Sequence, residues 1–388
     1  MVFSKEISEA PTYKFANTAR ELIKQGKKIL SFGLGEPDFK TPDYIFNATI
    51  EAMKNGFTHY SESQGLLELR SLISERVNKE NSSDYDASNV IVTPGVKAAL
   101  YLALASIVEP YDEIINITPY YVSYLPLIKI SEPTVIVKDV ALNKSDFTLD
   151  IEKIKAAVTP KTKAILINSP HSPTGMIILK SQMDELADIA VKNNIYIIAD
   201  EIYDKFVLKG YTSTSLAAYP QLKDLAIIAN GFSKTYAMAG WRLGYALAPK
   251  DIIFKMNKLQ LHINTNTCTF IQKGACAAFS CEPVHLDEYL IKLEQRVEVF
   301  DNFIKNSGIL KGTKPKGGFC YFVDISGCRM KSNDFCSELI MKTGIATTPG
   351  IAFGKDWDDY VKFSLNVDIK QIEEALTLLE KFIKDLKG

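Results

Sequence analysis

The sequence predicts an α/β protein, a mostly parallel seven-stranded sheet between helices followed by a small α+β unit. Three observations predict it. Short apolar runs recur near residues 90, 114, 135, 165, 196, 227 and 244, the pattern of strands buried on both faces. Helical patterns fall between several of them, as crossovers do in a parallel sheet. After residue 250 the pattern changes to long amphipathic helices with isolated strands. At 388 residues the chain exceeds what one core comfortably holds. The expected division is 43–283 as a large domain, with 1–42 and 284–388 forming a small one.

In chain order, residues 12–28 have Phe15, Ala19, Leu22 and Ile23 at helical spacing, with Gly26 as a stop. A short strand at 29–32 leads into Gly33-Leu34-Gly35-Glu36-Pro37-Asp38-Phe39, a loop whose glycines let backbone approach a ligand or simply turn. Helices follow at 42–55 and from 66 to about 77. Strand 90–93, the turn Pro94-Gly95-Val96-Lys97 and the apolar helix 98–107 make a strand–turn–helix unit whose free N–H groups and helix dipole suit an anion. Every α/β protein has such turns, so this unit alone carries little. Strands at 113–117, 134–137 and 164–167 come next, then Asn168-Ser169-Pro170-His171-Ser172-Pro173-Thr174-Gly175 as a rigid polar loop. Helices are expected at 151–157 and 182–193, and strand 195–199 runs into Asp200-Glu201-Ile202-Tyr203. Beyond 250, a long helix at 286–304, a strand at 317–323, a helix at 333–342, a strand at 360–365 and a final helix at 369–386 complete the chain.

Composition narrows the function. Apolar residues are 46% and charged residues 23%, ordinary for a globular protein. A net charge of −1 gives no electrostatic basis for binding nucleic acid or an anionic membrane. Residues 1–14 contain no apolar leader, and no run reaches membrane-spanning length, so a cytoplasmic protein is expected. The cysteines at 268, 276, 281, 320, 328 and 336 form no Cys-x-x-Cys pair, so neither a metal site nor a redox motif is indicated and buried free thiols are expected.

Thr93-Pro94-Gly95, Tyr121, Ser172, Asp200 and Lys234 all fall just past strand ends, where ligands sit in open α/β sheets. Lys234 lies in a polar break between the apolar runs 226–229 and 246–248. Desolvation lowers a lysine's pKa and makes it a nucleophile toward carbonyls. Against this stands the ordinary surface lysine, in a chain with six arginines among 45 basic residues.

The motifs GEPDF, Thr58-x-Tyr60, VTPGVKAAL, PYYVSY, NSPHSPTG, ADEIY, SKTYAMAGWRLGY and PGIAFG occur in the order found in class I aminotransferases. The chain resembles that family from about residue 12 to its end, in the branch of microbial aspartate and aromatic aminotransferases. The resemblance implies the fold-type-I transferase architecture and pyridoxal 5'-phosphate as cofactor. It implies that Lys234 holds the cofactor as a Schiff base and acts as proton carrier. Arg242 and the backbone N–H groups of Gly95, Val96 and Lys97 would bind the phosphate, with Ser233 as a further contact. Asp200 would pair with the ring nitrogen, Tyr203 with the ring hydroxyl, and Tyr121 would stack on the ring. Tyr60 would reach the neighbouring subunit's phosphate, which implies a homodimer with shared sites. Gly35 would meet the carboxylate of the amino acid or 2-oxo acid substrate. Three positions depart from the family pattern. Tyr121 stands for the usual Trp. Ser172 stands for an Asn that contacts ring and substrate. Lys362 stands for an Arg that grips the substrate carboxylate with a planar fork, and a lysine is only a point charge. A C–S β-lyase on the same scaffold, or a non-catalytic binding protein of this fold, are the alternative readings.

Overall fold

The computed structural model describes residues 11–386. The first ten residues of the segment 1–42 and the last two of 284–388 lie outside them. The chain opens with α1 (Pro11–Lys24), β1 (Leu30–Ser31), α2 (Asp43–Lys54) and α3 (Leu67–Asn81). Next come β2 (Val90–Thr93), α4 (Val96–Ile107), β3 (Glu113–Thr118), α5 (Tyr124–Ser131) and β4 (Ile136–Ala141). The following stretch is α6 (Ile151–Ala157), β5 (Thr162–Asn168), α7 (Lys180–Asn193), β6 (Tyr196–Asp200), β7 (Ala226–Gly231) and β8 (Gly244–Leu247). Then follow α8 (Lys250–Asn264), α9 (Thr269–Ala275), α10 (Val284–Asn306), β9 (Lys311–Gly312) and β10 (Cys320–Asp324). The chain finishes with α11 (Ser332–Thr343), β11 (Ile345–Ala346), β12 (Thr348–Pro349), β13 (Tyr360–Ser364) and α12 (Ile369–Asp385).

The expected seven strands form one sheet in the order β2-β8-β7-β6-β5-β3-β4. Strands β3 to β7 pair in parallel, and β8 runs antiparallel to both its neighbours. Its strands read as apolar runs because both faces are covered. Ile91, Ile114, Leu166, Ile198 and Ile227 pack on one side with α4 and α8. Val92, Ile115, Ile165, Ile197 and Ile228 pack on the other. A fully buried side chain of this size contributes about 1.5–3 kcal/mol.

The strand expected at 134–137 is instead β4, Ile136–Ala141. It is the sheet edge and mostly unburied, so its sequence lacks the apolar run that marks the inner strands. Thr134 belongs to a turn, its N–H and hydroxyl both donating to Glu132 Oε1 at 3.0 and 2.8 Å. Helix α3 runs four residues past its expected end, and α5, α8 and α9 were not anticipated. The thiols were expected to be buried, but only Cys320, Cys328 and Cys336 are; Cys276 is half-buried, and Cys268 and Cys281 are exposed.

A second core gathers around β12-β13-β10-β9, an antiparallel sheet, with β1 paired to β11 beside it. Leu286, Leu293, Val297, Phe300 and Ile304 form the apolar stripe that seats α10 on this sheet. Among the described residues, no helix is long and apolar enough to cross a membrane.

Candidate active site

The carboxyl ends of β2, β3, β5, β6 and β7 share one edge of the large sheet. Because β8 runs the other way, its first residue, Gly244, lies at the same edge, opposite both Thr93 and Gly231. A side chain on Gly244 would meet Val96 N at 2.6 Å, so the β2–α4 turn packs directly on the strands. Gly95 caps α4 at φ +87°, a left-handed geometry that favours glycine. A Cβ there would lie 2.5 Å from Arg242 Nη2, so the guanidinium rests against the turn. Arg242 Nη1 donates to Ala239 O at 2.7 Å and Nη2 to Pro94 O at 3.4 Å. Val96 and Lys97 open α4 with N–H groups that no carbonyl of the described residues takes up. Gly95 differs from expectation: its N–H is spent on Thr93 O at 2.7 Å. Two backbone N–H groups, Val96 and Lys97, therefore lie beside Arg242 without a carbonyl partner among the described residues, rather than three.

Asp200 ends β6 beside Asn168 and Ala229. Its Oδ2 accepts from the Tyr124 hydroxyl at 2.8 Å and its Oδ1 from Ile202 N at 3.1 Å. Burial raises its pKa to about 6, and those two donors and the Lys234 charge hold it from rising further. Asn168 Nδ2 donates to Asp200 O at 2.7 Å, while its Oδ1 accepts from Ser172 N at 2.7 Å. One side chain thus locks the Ser172 loop to the Asp200 strand. His171, whose burial lowers its pKa to about 4, contacts Thr174 Oγ1 at 2.7 Å and closes that loop as a neutral ring.

Lys234 donates to Gly35 O and lies 5.4 Å from the Tyr203 ring and 5.7 Å from that of Phe319. Desolvation lowers its pKa to about 8; the Lys362 charge adds to this, while Cys320, Glu36 and Asp200 oppose it. Ser233 is buried beside it. Tyr121 meets Tyr124 edge-on, centroids 5.6 Å apart, and Lys97 Nζ stands 5.5 Å from the Tyr121 ring. Lys362, on β13, is 7% exposed, and its ammonium has one long hydrogen bond, 3.4 Å to Gly33 O. Arg329 is exposed and takes no part in these contacts. Tyr60 stands apart from them, 86% exposed. The sequence-predicted residues come from six loops and strand β13, with Tyr60 apart from the contacts above.

The model of the family described as aminotransferase class I and II matches residues 27–379. The chain belongs to that family. An aspartate aminotransferase of Pyrococcus abyssi is 35% identical over 366 residues, 93% of each chain. The aromatic-amino-acid aminotransferase 2 of Thermococcus litoralis is 35% identical over 364 residues, 92% of each chain. The crystal structure of an aspartate aminotransferase from Thermotoga maritima superposes with a TM-score of 0.93 at 31% identity, covering 99% of this chain and 100% of that one. In this aminotransferase, reading by sequence passed over Tyr124 and Asn168. Tyr124 follows Tyr121 by three residues in the same motif, but its partner Asp200 is 76 residues away and nothing local signals the contact.

Proposed function

We propose that this aminotransferase carries pyridoxal 5'-phosphate on Lys234 and exchanges amino groups between an L-amino acid and a 2-oxo acid in two half-reactions. The observation that carries the reading is the pairing at one sheet edge of an amine of lowered pKa, Lys234, with a buried carboxylate, Asp200. The residues fit the cofactor. Val96 N–H, Lys97 N–H and the Arg242 guanidinium suit its phosphate, and Asp200 suits a protonated ring nitrogen. Tyr203 and Ser172 are assigned its ring oxygen, Tyr121 the ring face, and Ser233 a supporting phosphate contact. When bound, pyridoxal phosphate supplies the electron sink for charge developing at the substrate α-carbon. Lys234 Nζ takes the α-proton and returns it as general acid. Asp200 holds the proton at the ring nitrogen. We assign 43–283 to the cofactor domain and 1–42 with 284–388 to the small domain.

Gly95→Ala tests the phosphate assignment. The added Cβ strains the backbone and pushes the Arg242 guanidinium away. Cofactor affinity should fall about tenfold or more, while the fold loses about 1 kcal/mol. Fluorescence titration of the apoprotein measures it, and unchanged affinity would remove Arg242 from the phosphate site.

The carboxylate common to both substrates is assigned to the Gly35 backbone and the Lys362 ammonium. Lys362→Gln should raise the KM for amino acid and 2-oxo acid about 10- to 150-fold, the equivalent of about 1.5–3 kcal/mol for a hydrogen bond to a charged group. It should also raise the Lys234 pKa, since Lys362 is among the charges that lower it. Steady-state kinetics across pH read both effects, and an unchanged KM would contradict the assignment.

Aspartate or an aromatic amino acid is proposed as donor, in line with the names of the relatives. The test supplies each donor with a 2-oxo acid and follows the new amino acid formed. Ammonia and pyruvate from a sulfur amino acid, without any acceptor, would indicate the lyase instead. We also propose a cytoplasmic homodimer. Its support is the exposed apolar stretch Phe46, Met53, Phe57, Tyr60 and Leu67. A monomer in sedimentation would contradict it.

A further inference from the structure

Arg296 is 5% exposed and sits in the middle of α10, away from the residues assigned above. Its Nη1 and Nη2 donate to Asp38 Oδ1 and Oδ2 at 3.0 and 2.7 Å, a planar fork on one carboxylate. Nη1 also reaches Leu365 O at 3.4 Å, and the guanidinium carbon lies 5.6 Å from the Tyr289 ring centroid. Asp38 is three residues past Gly35, and Leu365 is three residues past Lys362. One guanidinium therefore grips both chain segments assigned to the substrate carboxylate. Three further bonds join those segments: Lys362 to Gly33 O, Ser364 N to Phe32 O at 2.8 Å, and Asn366 Nδ2 to Glu36 O. Lys362 itself is held in β13 between β10 and β12, and Arg296 adds a side-chain tie to the Asp38 loop from a helix seated in the second core by Leu293, Val297 and Phe300.

We propose that Arg296 is a positioning residue for substrate: through Asp38 and Leu365 it sets the separation between the Gly35 backbone and the Lys362 ammonium. The inference rests on the aminotransferase reading and deepens it. In a site whose cation is a lysine, no guanidinium fork fixes the carboxylate at the point of contact. Orientation must then come from the supports, and here the fork is one step back, on Asp38. A lysine at 296 would keep the charge but hold only one of the two segments at a time.

The test compares wild type with R296Q, R296K and D38N by three readouts: KM and kcat for donor and 2-oxo acid, calorimetric binding of succinate to the loaded protein, and cofactor affinity. Losing the fork should raise KM and the succinate Kd about tenfold or more in R296Q, with kcat down less than about threefold and cofactor affinity within about twofold. R296K should fall between, and the double variant R296Q/D38N should be no weaker than R296Q alone, as coupled partners require. If R296Q does not fold, D38N, which leaves the bond to Leu365 O, carries the comparison. A lowered Tm with KM and succinate Kd unchanged would make Arg296 purely structural and overturn the proposal, as would additive effects in the double variant. Wild type that binds succinate yet converts no amino acid would overturn the aminotransferase reading instead, and the succinate constants would still decide the role of Arg296.

Discussion

Lys234→Ala will cut transamination by about ten-thousand-fold or more if, as proposed, it removes the general acid–base and the cofactor's covalent anchor together. No neighbour can substitute. Lys362 donates to Gly33 O, and Lys97 lies over Tyr121. The fold should survive, since Lys234 is an intermediate-burial residue whose hydrogen-bonding partner is one loop carbonyl, that of Gly35. The pH dependence follows from the lowered pKa. Only the neutral amine adds to a carbonyl, so the rate at which apoprotein takes up pyridoxal phosphate should rise with pH and level off above about 8. A lysine in open water would level off two units or more higher, near its usual pKa of about 10.4. Stopped-flow loading across pH distinguishes the two.

Asp200→Asn should lower turnover about 100- to 1,000-fold, the range for deleting one preorganised electrostatic partner in a buried site. The amide keeps the shape and can still accept from Tyr124, but it cannot hold a proton on the ring nitrogen. Because burial sets the Asp200 pKa at about 6, wild-type cofactor binding should weaken as pH falls through that value, where the carboxylate is neutralised. Asp200→Asn should remove that limb from the pH profile. Retention of the limb, or a loss of less than about tenfold in turnover, would show that another group serves the ring nitrogen.

How much of this was legible beforehand depends on how local each signal is. The inner strands announce themselves because a strand buried on both faces must be an apolar run, and the loops after them because glycine, proline and polar residues interrupt it. Lys234 and Asp200 could be picked out for that reason, and Arg242 through the family resemblance. The edge strand β4 was misjudged because exposure on its outer side removes the run. Helix α5 was hidden by the aromatic motif at its start and by Pro126 in its first turn. The Gly95 N–H was counted as a phosphate donor because the sequence cannot tell that the turn folds back on Thr93 O. Tyr124 on Asp200 and Arg296 on Asp38 join residues 76 and 258 positions apart, so no spacing rule reaches them.

The most direct test is the visible spectrum of the protein loaded with pyridoxal phosphate. On adding L-aspartate or an aromatic L-amino acid, the visible band should disappear, and a 2-oxo acid should restore it. Lys234→Ala, loaded in the same way, should show no such cycle. A wild-type band that persists with every amino acid tried, or a full cycle in Lys234→Ala, would contradict the account.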